Sequence, residues 1–202
     1  VDDCYGECGG DAYVDDCNEC VGGNTGEDEC VSTVDNVVDL ATNWNWVSLN
    51  VYQDDMSIQN VLSTIEDNVI FVKSQLDGTA TWYDGFGWYG ALDEIKNTTM
   101  YYVQMAAPDQ LVFSGTPVVP SETPIPLATN WNWIGYTPQV ALPIEVALGG
   151  VQESAIFIKS QLDGTATWYD GFGWYGALDV LAPMKGYQLQ MAEPAMLIYP
   201  DI

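Results

Sequence analysis

The side chains best equipped for chemistry lie in the first thirty residues, where acidic groups and all five cysteines crowd together. Laid out with a period of thirteen, Val1-Asp2-Asp3-Cys4 returns as Val14-Asp15-Asp16-Cys17 and, altered, as Glu27-Asp28-Glu29-Cys30. Gly9-Gly10 returns as Gly22-Gly23, and Asp11 as Asn24, whereas Cys8 and Cys20 are out of step by one residue. Calcium takes six to eight oxygens from carboxylates, amides and the carbonyls of flexible turns. The period-matched oxygens of Asp2, Asp3, Asp11, Asp15, Asp16, Asn24, Asp28 and Glu29 are therefore the expected calcium ligands. Zinc at Cys17 and Cys20 is the competing chemistry, but a tetrahedral site wants a second such pair or histidines, and the chain has no His. A solvated acidic tail is the bland alternative, and a tail needs no periodicity.

The cysteines are expected to form cross-links, because a segment this rich in Gly and Asp lacks the apolar side chains to fold unaided. If the second cysteine of each unit links to the first of the next, the disulfides are Cys8–Cys17 and Cys20–Cys30. Cys4 is then left unpaired or intermolecular. The alternative, Cys4–Cys17, strands Cys8 instead.

Beyond residue 30 little looks catalytic. The recurring carboxylates are Asp77, Asp84 and Asp93, matched by Asp163, Asp170 and Asp179. A glycosidase places two carboxyls roughly 5 to 9 Å apart, but Asp77-Gly78 and Asp84-Gly85 are turn dipeptides, which accounts for them without catalysis. Lys73 and Lys159 are expected to pair with the surplus carboxylates. There is no Ser–His or Cys–His couple and no glycine-rich phosphate loop, so no enzyme is expected. Aromatic side chains form the other candidate surface: Trp82, Tyr83 and Trp88 with Phe86 and Tyr89, and in the second half Trp168, Tyr169 and Trp174. Side chains alternate along a strand, so Trp82 and Tyr83 cannot both face a core. One of them is left for a glycan or for another protein surface.

Composition narrows the partners. Twenty-nine acidic residues against four Lys give a formal charge of −25. Nucleic acid needs clustered cations to displace its counterions, and anionic membrane surfaces need them too, so neither is an expected partner. No apolar run approaches the roughly 20 residues that span a bilayer. Cysteines confined to one short segment suggest an oxidising compartment, hence secretion or the cell surface. The opening Val1-Asp2-Asp3-Cys4 reads as a mature end left by processing or as an excerpt of something longer.

A second, larger repeat sets the architecture. LATNWNW at Leu40–Trp46 returns at Leu127–Trp133, and KSQLDGTATWYDGFGWYGALD at Lys73–Asp93 returns unchanged at Lys159–Asp179. The expected organisation is a Cys/Asp-rich segment 1–30, a linker 31–38, repeat one 39–115, a Pro-rich linker 116–125 and repeat two 126–202. Four prolines in Ser114–Pro126 favour an extended, stiff spacer. Within a repeat, Trp44, Trp46 and Val47 open a strand, and Ile58, Val61, Leu62 and Ile65 follow a helical stripe. Ile144, Ala147, Leu148 and Val151 repeat that stripe, with Pro143 as the first helical residue. Val69–Lys73, Thr79–Tyr83, Tyr101–Met105, Leu111–Phe113, Tyr187–Met191 and Leu197–Tyr199 read as strands. The fold class is mainly β (α+β): two small β-rich domains, each with one short helix, after an extended stapled segment.

The pattern Asp-Cys-x-Gly-x-Cys-Gly-Gly followed by Val-Asp-Asp-Cys-Asn-Glu-Cys-Val-Gly-Gly-Asn-Thr-Gly resembles the thrombospondin type 3-like repeats of secreted bacterial surface proteins, which implies an extended, calcium-wrapped rod. The long Asp-x-Asp-x-Asp-Gly runs of the animal versions are missing. The body resembles a Trp/Gly-rich module of bacterial surface proteins, through Trp131-Asn132-Trp133, Ile158-Lys159-Ser160-Gln161, Gly171–Leu178 and Gly186-Tyr187. Repeat one departs at the last, with Met100-Tyr101. That resemblance implies an exported, non-catalytic module. The joint expectation is an extracellular structural subunit, self-assembling head to tail into a fibre or surface layer with calcium. The rival is a secreted carbohydrate-binding or adhesion module on polysaccharide, without membrane insertion. Asn97-Thr98-Thr99 is a glycosylation acceptor where the host has the machinery.

Overall fold

The structure is a computed structural model that describes all of residues 1–202 except Asp16, Glu29 and Val31. It divides into two compact units, Val1–Val34 and Asp35–Ile202. The fold is mainly β, with two short helices and two disulfides among the described residues.

The first unit holds one small ladder, β1 (Tyr13–Val14) against β2 (Cys20–Val21). Among its described residues, Ala12 and Val21 are the buried apolar ones, far too few for a core of its own.

The second unit carries both repeats. Repeat one runs β3 (Val34–Leu40), β4 (Asn43–Val47), β5 (Val51–Tyr52), helix α1 (Ile58–Val61), β6 (Val69–Lys73), β7 (Thr79–Tyr83), β8 (Gly87–Gly90), β9 (Tyr101–Met105) and β10 (Asp109–Pro117). Repeat two runs β11 (Ile125–Leu127), β12 (Asn130–Ile134), β13 (Leu142–Pro143), helix α2 (Ile144–Ala147), β14 (Ala155–Ser160), β15 (Thr165–Tyr169), β16 (Gly173–Gly176), β17 (Val180–Leu181), β18 (Tyr187–Met191) and β19 (Ala195–Leu197). The main sheets are antiparallel and alike, β4-β9-β6-β7-β8 and β12-β18-β14-β15-β16. Both carry an irregularity at the same place, between Val69 and Phe71 and between Ala155 and Phe157.

The helical stripe is real but short. Ser57 caps α1 by accepting Asn60 N–H, and Ile58, Val61, Leu62 and Ile65 are all buried, the last across a 3₁₀ turn at Ser63–Ile65. Pro143 precedes α2 as its cap residue, one position earlier than expected. Each repeat has its own apolar cluster, Leu40 to Phe113 in one and Ile125 to Tyr199 in the other.

Two segments expected as linkers are structured. Positions 34–38 of the expected linker 31–38 form the greater part of β3, and Val31 lies outside the described residues. Its Val34-Asp-Asn-Val-Val-Asp-Leu40 sequence alternates buried Asn36, half-buried Val38 and buried Leu40 with exposed neighbours, a strand pattern hidden by the acidic residues. In the expected linker 116–125, Thr116 and Pro117 extend β10 against β5, Pro120–Glu122 form a 3₁₀ turn, and Ile125 starts β11. The segment is thus largely strand and 3₁₀ turn, and the two repeats lie against each other.

Candidate functional site

In the first unit two aspartates organise the backbone. Asp3 Oδ1 accepts Tyr5 N–H (3.1 Å) and Glu7 N–H (2.8 Å), and Oδ2 accepts Ala12 N–H (3.1 Å). Asp15 repeats the scheme with Cys17 (3.0 Å), Glu19 (2.9 Å) and Cys30 (2.9 Å). The two loops are twelve residues apart, with matching bridges Asp2–Cys8 and Val14–Cys20. Gly6 (φ 89°) in one loop matches Asn18 (φ 64°) in the other, both in the left-handed region. A Cβ on Gly10 would sit 2.1 Å from Asp3 Oδ2, so a larger residue there would displace the carboxylate that holds the loop.

That register corrects the expected disulfides. The bonds are Cys4–Cys20 and Cys17–Cys30, and Cys8 is the free, exposed thiol. With a loop period of twelve, Cys8 is the counterpart of Cys20, while Cys4 and Cys17 stand at different points of their loops. Cys20 then reaches back to the loop before it, the opposite direction to the neighbour rule.

The calcium ligand set is not gathered among the described residues. The carboxylates of Asp3 and Asp15 are already committed to backbone N–H groups, Asn24 donates to Glu7 (2.9 Å), and Asp2, Asp11 and Asp28 are exposed. Asp16 and Glu29 lie outside the described residues. The one close group of Cys, Asp or Glu ligand atoms among the described residues is Asp15 with Cys17 and Cys30. Its sulfurs are joined to each other, so it offers no thiolate pair to a metal. Among the described residues, then, the expected calcium ligands are not brought together as one cluster.

Backbone hydrogen bonds, Glu7 N–H first for Asp3 and Cys30 N–H first for Asp15, hold both carboxyls below their ordinary 3.8. A depressed value means that the charged form stabilises the fold throughout the range above 3.8, and the contribution drains as pH falls through the lower folded value. Acidification below about pH 4 is therefore expected to expose Val1–Val34 to acid-active protease. Protection persisting to pH 2 would show that the carboxylates are not what holds the loops.

The second unit is built on a junction with two-fold pseudosymmetry. Edge strand β4 offers Trp44 C=O and Trp46 N–H, and the Gln161 amide satisfies both at 2.6 Å. Gln75 does the same for Trp131 C=O (2.7 Å) and Trp133 N–H (2.6 Å) on β12. A side-chain amide here stands in for a neighbouring strand. Ser48 N–H donates to Met184 C=O and, in the related position, Gly135 N–H donates to Thr98 C=O.

All four lysines lie at or beside this junction. Lys73 Nζ is 5.6 Å from the Trp133 ring, and Lys159 Nζ is 5.9 Å from Trp46 and 4.7 Å from Trp131. These two lysines were expected to pair with carboxylates, but the strand ends aim them at indole faces, where a cation is attracted by the ring quadrupole. The ion pairs belong to Lys96–Asp77 and Lys185–Asp163, the latter at 2.8 Å.

Residues 86 apart meet each other across the junction. Gln188 hydrogen-bonds Tyr102, and a Cβ on Gly186 would lie 2.4 Å from Met100 Cβ. Equivalent positions touch only on the dyad, so these pairs mark it. The repeated Asn in Trp-Asn-Trp is structural: Asn45 clasps Ala41 N–H and C=O, and Asn132 clasps Ala128 likewise, beside left-handed Asn43 and Asn130. Asn97 donates to Leu49 and Val51 C=O, so its amide is engaged inside the fold.

The aromatic hairpins point away from the dyad. Their tryptophans pack inward, Trp82 and Trp88 against one core, Trp168 and buried Trp174 against the other. Trp82 and Trp88 are half-buried side by side at 5.4 Å, so the tryptophans expected as surface platforms are mostly committed to packing. The exposed ring set is Tyr83 (53 %), Phe86 (85 %) and Tyr89 (70 %), with Tyr169, Phe172 and Tyr175 its near-equal twin. Alternation required one of Trp82 and Tyr83 to face outward, and it is Tyr83, with Tyr169 in the second repeat. Tyr89 and Tyr175 join them because the registers Trp82↔Trp88 and Trp168↔Trp174 pair Trp with Trp on the inner face, while Phe86 and Phe172 stand in the turns between the strands.

Searches with family models, curated proteins and solved structures give no match to this chain.

Proposed function

We propose that this chain is a non-catalytic extracellular structural subunit that assembles end to end. The observation that carries the reading is the junction between the repeats. Both repeats spend the same inner edge on each other, which is an isologous contact, and such a contact closes at two. Growth through that surface stops inside one molecule, so the head-to-tail packing expected from the repeat itself gives way to growth at the two outer ends. Those ends carry the same sequence, and each presents three exposed aromatic rings.

Two disulfides fit an oxidising exterior, and among the described residues no helix is long and apolar enough to cross a membrane. At −25 per chain, close approach of copies is opposed by repulsion. Calcium enters this reading as a screening and bridging counter-ion, which divalent charge does well. Negative-stain microscopy of purified protein with millimolar calcium is expected to show filaments of regular repeat. Dispersed single particles under all conditions would sink the reading.

The six exposed rings also favour a second reading, a bivalent glycan binder. Two clefts of about 240 and 220 Å³ flank the repeat junction, smaller than the roughly 300–1,000 Å³ of ligand pockets. A polysaccharide would therefore lie on the outer rings. Retardation on polysaccharide gels, lost in Tyr89→Ala with Tyr175→Ala, together with an absence of filaments, would favour this reading.

A further inference from the structure

We propose that the outer strands β8 and β16 are docking edges for a second copy of this chain, joined by antiparallel strand addition. This rests on the assembly reading above and names the contact that would carry it. In both five-stranded sheets the order ends at these strands, with no strand beyond them among the described residues. One row of their backbone N–H and C=O groups is thus left without a ladder.

Natural sheets blunt such edges with Lys, Pro, bulges or a covering segment. This chain treats its two kinds of edge differently. The inner edges β4 and β12 are covered by the neighbouring repeat and by the Gln161 and Gln75 amides. The outer edges read Gly87-Trp88-Tyr89-Gly90 and Gly173-Trp174-Tyr175-Gly176, with no charge and no proline. The glycines themselves serve the hairpins, Gly87 and Gly173 through their positive φ and Gly90 and Gly176 through close approach to Thr79 and Thr165 C=O.

The occupant follows from the sequence of the edges. Both belong to the block that is unchanged between the repeats, although Tyr83, Phe86 and Tyr89 are exposed. Two identical strands can pair antiparallel about a two-fold axis, each residue reciprocating its partner's contact. Contacts at the dyad inside the molecule needed unlike residues, Met100 against Gly186 and Tyr102 against Gln188. Identical outer edges suit a contact between molecules, because either end of one copy then fits either end of the next. Tyr83 and Tyr89, already edge-to-face at 6.2 Å, would meet the same pair from the partner as cross-strand aromatics.

The test uses the full chain. Tyr89→Lys or Tyr175→Lys alone blocks one end and should give dimers by sedimentation, while the double variant should stay monomeric. Both positions are exposed, and unchanged circular dichroism checks the fold. In wild-type filaments, amide exchange at Trp88–Gly90 and Trp174–Gly176 should slow about tenfold or more relative to the monomer. Filaments formed by the double variant, or edge amides no better protected in filaments, would overturn the edge contact and leave assembly standing. A wild-type chain that never assembles would overturn the assembly reading itself.

Discussion

Gly186→Met is expected to destabilise the second unit by about 3 kcal/mol, and Met100→Gly in the same chain is expected to recover most of the loss. The reason lies on the dyad. A Cβ on Gly186 would stand 2.4 Å from Met100 Cβ and 2.9 Å from its sulfur, and Met100 is fully buried. Nothing there can yield cheaply, because Ser48, Trp46 and Met184 tie the backbone on both sides. Overfilling of a packed site costs about 1–3 kcal/mol, toward the top where the backbone itself must move. For a body of this size that corresponds to roughly 6–12 °C in Tm. Met100→Gly alone opens a cavity and should cost about 2–4 kcal/mol. The double variant moves the knob to the other side of a two-fold axis, where it meets nearly the same hole. Thermal unfolding followed by tryptophan fluorescence reads all three, and strict additivity of the single losses would show that the two positions do not meet.

That pair shows where the sequence was legible and where it was not. The departure of Met100-Tyr101 from Gly186-Tyr187 is visible in an alignment of the repeats, but only pairing in space makes it a knob and a hole. The strands Val69–Lys73 and Thr79–Tyr83 were readable to the residue, since both are β-branched and aromatic runs and the second is closed by Asp84-Gly85. So was the buried stripe Ile58, Val61, Leu62 and Ile65. Gln75 and Gln161 carried no signal, because a glutamine at a strand end looks like any solvated side chain until another repeat's edge arrives.

The first unit was harder for a different reason. Its sequence repeats with a period of thirteen from Asp2-Asp3-Cys4 to Asp15-Asp16-Cys17, yet its loops repeat with a period of twelve from Asp3 to Asp15. The cysteine spacing follows neither alone. Acidic residues at regular intervals also have two uses, holding a cation or accepting backbone N–H groups, and the type of residue does not distinguish them. Asp3 and Asp15 take the second use.

Reduction is therefore expected to release Val1–Val34 while Asp35–Ile202 stays folded. Cys4–Cys20 and Cys17–Cys30 close separations of 16 and 13 residues, and loops of that length gain about 3 kcal/mol each from a cross-link in the chain-entropy view. Against this the unit buries only Ala12 and Val21 among its described apolar residues, so no core remains once the bonds open. The Asp3 and Asp15 caps cannot persist alone, because Asp15 reaches Cys30 N–H across the segment that Cys17–Cys30 holds closed. Limited proteolysis with mass spectrometry should show cleavage throughout the first unit in reductant and an intact fragment from about Asp35 onward. Chelator alone should do far less, since the aspartate oxygens that order these loops are engaged by backbone N–H groups. Loosening by chelator equal to that by reductant would return the unit to calcium. Non-reducing peptide maps should give Cys4–Cys20 and Cys17–Cys30 with Cys8 open to alkylation, and a Cys8–Cys17 peptide would restore the thirteen-residue register in place of the twelve.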